Sequence, residues 1–93
     1  MEQAEAVRHV AQLINENRVK GRTARLAKLM GASADTVRSW AASGESEGRK
    51  RRMNPTARRL MFLLLALHQA GHDLDQLRLT ARSLERAILG DND

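Results

Sequence analysis

The stretch TARLAKLMGASADTVRSWAA, residues 23–42, decides how this chain is read. Leu26 and Ala27 precede Gly31, and Ser33, Val37 and Trp40 follow it. That spacing suits two short helices that cross at a steep angle around a tight turn. Ala27 is small where the helices approach, and Gly31 can take the left-handed conformation that ends the first of them. Ser33 can cap the second helix. Val37 lies four residues later and Trp40 three beyond that, so both return to one apolar face. Ala34, Asp35, Thr36, Arg38, Ser39 and Ala42 are left for the opposite face.

The pattern of Leu26-Ala27, Gly31, Ser33, Val37 and Trp40 resembles the helix-turn-helix of the phage lambda repressor and Cro-like (Xre-type) family of DNA-binding regulators. The likeness is close over residues 23–42 and looser over the basic loop and helix that follow. The chain differs from the common form at Thr23, where a glutamine often meets the DNA backbone, and at Ala32, where a larger aliphatic residue is usual. Its loop after the second helix of the motif is also longer than in many relatives.

The resemblance implies that the helix after Gly31 enters the major groove, where each base pair shows a distinct set of donors and acceptors. By position in the motif, Ala34, Asp35, Thr36, Arg38 and Ser39 are the expected base contacts. Arg38 is the principal reader, because a guanidinium bonds a guanine edge at two points; the alternative is a contact to phosphate alone. Thr36 and Ser39 reach bases or phosphates, and Ala34 touches a thymine methyl. Asp35 either accepts from a cytosine amino group or stabilises the helix N-terminus, and the second is favoured. Trp40 reads as core packing, not as a base-stacking residue.

The first helix of the motif crosses the DNA backbone in this family. Arg22, Arg25 and Lys28, at three-residue steps near one face, are therefore assigned to phosphates, with Arg18, Lys20, Thr23 and Ser33 beside them. The run Arg49, Lys50, Arg51, Arg52 either tracks the backbone or a minor groove, or is a solubilising loop. Arg58 and Arg59 can join either group.

Outward from this motif the chain reads as helical. It has one proline, two aromatic residues and no alternating Val/Ile/Thr run that suggests a strand. A first helix is expected over residues 3–17, with Ala6, Val7, Val10, Leu13 and Ile14 as its apolar stripe. The motif supplies helices over 23–30 and 34–42. Residues 44–53, GESEGRKRRM, have no apolar period and read as a loop.

Asn54 and Pro55 start a fourth helix that runs to about residue 70, before Gly71. Leu60, Leu63, Leu64 and Leu67 line one of its faces, while Met61, Phe62 and Leu65 make it apolar nearly all round. Such a helix is buried on more than one side, which suggests packing against another copy of the chain. Asp73 caps a fifth helical region over 73–89, ended by Gly90, with Leu74, Leu77, Ala81, Leu84 and Ile88 as its seam. An alternative breaks this region at Thr80. Leu60, Leu64, Leu67, Leu77, Leu84 and Ile88 are the expected dimer contacts.

The expected fold is thus an all-α, compact domain of four to five helices over residues 1–93. It has a helix-turn-helix at about 23–43, a basic loop at 44–53, and a packing and dimerisation region at 54–90. A chain this long buries roughly 60–70% of its unfolded surface, enough for one core. The net charge of +5 is uneven. Between residues 18 and 59, twelve Lys/Arg face only Asp35, Glu45 and Glu47, whereas the two ends together carry eight acids against four arginines. A basic centre between acidic flanks suits a polyanion.

Cysteine is absent, which excludes disulfides, thiolate metal sites and a cysteine nucleophile and fits a reducing cytoplasm. No signal peptide or membrane span is expected. His68 and His72 are four apart, but Gly71 falls between them, so no metal site and no cofactor are expected. Nothing resembles a nucleotide-cradling loop or paired catalytic carboxylates, so the chain is not expected to be an enzyme.

The expected function is sequence-specific binding of double-stranded DNA by a homodimeric transcriptional repressor, acting on a palindromic operator of phage, plasmid or toxin–antitoxin type. The alternatives are a protein-interaction module, such as an antitoxin or phage inhibitor with a protein partner, and a non-specific nucleic-acid binder. The shortage of aromatic residues disfavours single-strand recognition by base stacking.

Overall fold

A computed structural model describes residues 1–42 and 52–90 of the chain. The described residues form five helices and no strand: α1 (Gln3–Ile14), α2 (Arg22–Met30), α3 (Ala34–Ala41), α4 (Pro55–Gln69) and α5 (Leu74–Leu89). Helices α1, α2 and α3 pack on one another, and α4 closes the open side against α1 and α2.

The ends of these helices follow local chemistry. Ser33 Oγ accepts from the Thr36 N–H, Asn54 Oδ1 from the Ala57 N–H, and Asp73 Oδ1 from the Gln76 N–H. Each satisfies one of the donors that a helix N-terminus leaves unpaired. Gly31 ends α2 with φ +73°, and the Ala32 N–H returns to the Ala27 carbonyl. Gly71 follows α4 with φ +92°, and the His72 N–H returns to the Leu67 carbonyl. Both are six-to-one closures that need a left-handed residue at the turn. His72 therefore lies beyond the helix that carries His68. The fifth helix runs through Thr80 without a break.

α1 is shorter than the expected span of residues 3–17 and ends with its apolar stripe. It stops at Ile14 because Asn15 turns inward, and its Nδ2 donates to the Arg18 and Lys20 carbonyls. Glu16 and Asn17 then take left-handed φ of 54° and 64°, uncommon for side-chain-bearing residues. The buried face of α1 is Ala4, Val7, Val10, Ala11 and Ile14, while Ala6 and Leu13 are only half-buried.

Val7, Val10, Ala11 and Ile14 meet Leu26, Ala27, Val37, Trp40, Met53, Met61, Leu64 and Leu74 in a single core cluster. Met53, expected at the end of a loop, is instead buried in this core. α4 is also turned differently from the leucine-lined reading. Its buried face carries Met61 and Leu64, while Leu60, Phe62 and Leu63 stay exposed. Leu64 is thus occupied by its own core and is not free for a dimer contact. No helix among the described residues is long and apolar enough to cross a membrane.

Candidate nucleic-acid interface

The α2–α3 corner is held from inside. Leu26 and Val37 are essentially inaccessible, Ala27 lies between the helices, and Trp40 anchors the last turn of α3 to the core. With these residues turned inward, the opposite side of α3 faces solvent. Asp35 and Arg38 are exposed there, and Ala34, Thr36 and Ser39 are partly exposed. All five expected base-contact residues therefore lie on accessible surface.

Their polar atoms are ordered within the helix. Arg38 pairs with Asp35 one turn earlier, with side chains 63% and 93% exposed. The Ser33 and Thr36 hydroxyls lie 2.8 Å apart, and Ser39 Oγ donates to the Asp35 carbonyl at 3.0 Å. Asp35 thus does two things: it adds negative charge to the first turn of α3 and steadies the guanidinium of Arg38. An exposed pair of this kind contributes only about 0.3–0.5 kcal/mol, so a stronger acceptor displaces it at little cost.

The expected phosphate contacts divide into four groups, with Ser33 apart from them as the exposed cap of α3. Arg18, Lys20 and Lys28 are exposed, and so is Arg52 at the start of the second described segment. Arg22 is tied to the α1–α2 connection, its Nε donating to the Arg18 carbonyl at 2.8 Å and a terminal nitrogen to the Asn17 carbonyl. Thr23 is half-buried beside it. Arg25 departs furthest from expectation. Its guanidinium turns to α5 and pairs with Asp75 at 3.0 Å, and it lines a polar cleft with Arg18, Glu16 and Asp73. Arg25 is therefore a bridge between α2 and α5 and not a free cation. Arg49, Lys50 and Arg51 lie outside the described residues.

One residue that organises this surface escaped the sequence reading. Gln3, in the first turn of α1, donates through Nε2 to the Trp40 carbonyl at 3.1 Å and accepts from the Met53 N–H at 2.8 Å. One side chain thereby holds both the end of α3 and the chain just before α4. A polar residue at a helix start reads as surface, and its partners lie 37 and 50 positions away. Buried Asn15 sets the α1–α2 connection from close by, through the Arg18 and Lys20 carbonyls.

Among the described residues no group of three or more His, Asp or Glu is placed to hold a metal ion. Comparison of the chain with family models, curated proteins and solved structures finds no match.

Proposed function

We propose that the chain is a sequence-specific double-stranded-DNA-binding regulator, a homodimeric repressor that reads a palindromic operator with α3. The reading rests on one observation: the residues that anchor α3 (Val37 and Trp40) point inward, while Arg38 stands exposed on its outer side. The resemblance of residues 23–42 to lambda repressor and Cro-like regulators supports it, as does the basic central segment. In this reading Arg38 leaves Asp35 for a guanine edge, Thr36 and Ser39 add hydroxyl contacts, and Lys28, Lys20 and Arg18 meet phosphates. A dimer places two copies of α3 about one helical turn of DNA apart, and bound protein obstructs polymerase.

Selection of bound sequences from random duplexes tests this directly. The expected product is a two-fold symmetric site; enrichment of no sequence makes the chain a non-specific binder and ends the proposal. Arg38→Ala is expected to lose about 1–3 kcal/mol of discrimination at one base position in each half-site. Competition against single-base variants of the selected site measures it.

Asp75→Asn probes the contact that holds Arg25. The pair is partly exposed, so stability is expected to change by less than about 1 kcal/mol. The released guanidinium then reaches a phosphate, and the slope of log K against log salt steepens by about 0.9. An unchanged slope leaves Arg25 off the DNA.

A second reading draws on exposed Leu60, Phe62 and Leu63. In it the chain is an interaction module, and its activities all survive Arg38→Ala.

A further inference from the structure

Helix α5 belongs to the core at only one end. Leu74 is buried and Leu77 packs against the core, but every residue from Leu79 to Gly90 is exposed. The stripe does not end where the burial ends. Leu74, Leu77, Ala81, Leu84 and Ile88 continue along one side of the helix at alternating three- and four-residue steps. Leu84 is 55% and Ile88 79% exposed. A helical segment of this length is marginal in water unless its apolar side is covered.

The residues flanking the stripe say what covers it. Arg78 and Glu85 lie seven apart, on the same edge and about 10 Å from each other along the axis. Thr80 and Ala87 on the other edge are uncharged. A surface that packs against its own copy across a two-fold axis must be self-complementary, and this one is. When two α5 helices run antiparallel, Leu77 of one meets the partner's Ile88, and small Ala81 meets the partner's Leu84. Arg78 then lies beside the partner's Glu85, and the symmetry makes that contact twice. Like charges do not meet.

Arg78 Nε is shielded from solvent and has no hydrogen-bond partner among the described residues. A parallel pair would set the two core-packed ends side by side, where Leu74 is already buried in its own fold, and would leave Glu85 beside the partner's Thr80, which is uncharged. That leaves the antiparallel arrangement as the complementary one.

We propose that the stripe Leu77, Ala81, Leu84 and Ile88 is the seam of a homodimer in which two α5 helices pair antiparallel, Arg78 of each against Glu85 of the other. The proposal supplies the partner for the dimeric regulator described above and rests on that reading for its purpose. Its test needs no DNA, so the two fail separately.

Sedimentation of the full chain in the micromolar range is expected to show a dimer. Leu84→Glu, at an exposed position, should give a monomer with unchanged helical circular dichroism. Arg78→Glu and Glu85→Arg should each weaken self-association about tenfold, since two attractive pairs become two repulsive ones. Mixed together, the two single variants should form heterodimers, and the double variant should regain wild-type self-association. A wild type that stays monomeric to about 100 µM overturns the proposal. So does a dimer indifferent to Leu84→Glu, or single variants that associate no better mixed than apart. Monomers that use α5 to bind anionic lipid vesicles overturn it as well.

Discussion

Trp40→Ala is expected to destabilise the domain by about 3–5 kcal/mol, the usual cost of removing a large aromatic side chain from a core. Trp40 is 8% exposed and shares the cluster with Val7, Val10, Leu26, Ala27 and Val37. Its side chain is the last apolar anchor of α3, which is only eight residues long and cannot persist on propensity alone. The cavity left behind lies where three helices meet, so no single one can move in to fill it. A domain of this size has about 5–15 kcal/mol in all, and so a large part of the stability disappears. The urea midpoint followed by circular dichroism measures this, and Trp40→Phe should retain much of what alanine loses. A midpoint unchanged in Trp40→Ala would mean that α3 is not held from inside.

The second large effect is expected at Leu64. Leu64→Glu places a carboxylate inside the apolar cluster that holds Met61, Leu74, Ile14 and Leu26. The penalty for an unpaired buried charge is several kcal/mol, and the protein responds by unfolding or by protonating the group. Loss of helical circular dichroism at neutral pH is the expected result. Dissociation of an otherwise folded dimer is not. Leu84→Glu, one helix later and exposed, should behave in the opposite way. If Leu64→Glu proves well folded, the orientation assigned to α4 is wrong.

The contrast between these two leucines shows where sequence reading runs out. Both belong to apolar repeats that look alike on paper. α5 has one apolar stripe, so its seam can be traced residue by residue; what the sequence does not reveal is that its own core covers only the first turn. α4 is apolar nearly all round, and periodicity then offers no reason to prefer Leu64 and Met61 over Leu60 and Leu63. The choice falls to whatever α1 and α2 present to it. Met53 is hidden for a related reason: it follows four basic residues, and its N–H donates to the Gln3 side chain fifty positions away.

At the candidate interface the same division appears. The outward position of Arg38 follows from Val37 and Trp40 facing in, a matter of helical spacing within a few residues. The fate of Arg25 does not, because its partner Asp75 lies fifty positions along the chain.

What the residues determine alone are the features that depend on near neighbours: the all-helical class, the caps at Ser33, Asn54 and Asp73, the turns at Gly31 and Gly71, and the inward face of α3. These are local because a hydrogen bond to a helix end, or a left-handed glycine, is decided within one turn of chain. Tertiary structure alone decided which side of α4 is buried, how Met53 joins the core, and that Asp75 holds Arg25. Those outcomes depend on side chains brought together from distant positions, where packing and desolvation outweigh any local preference.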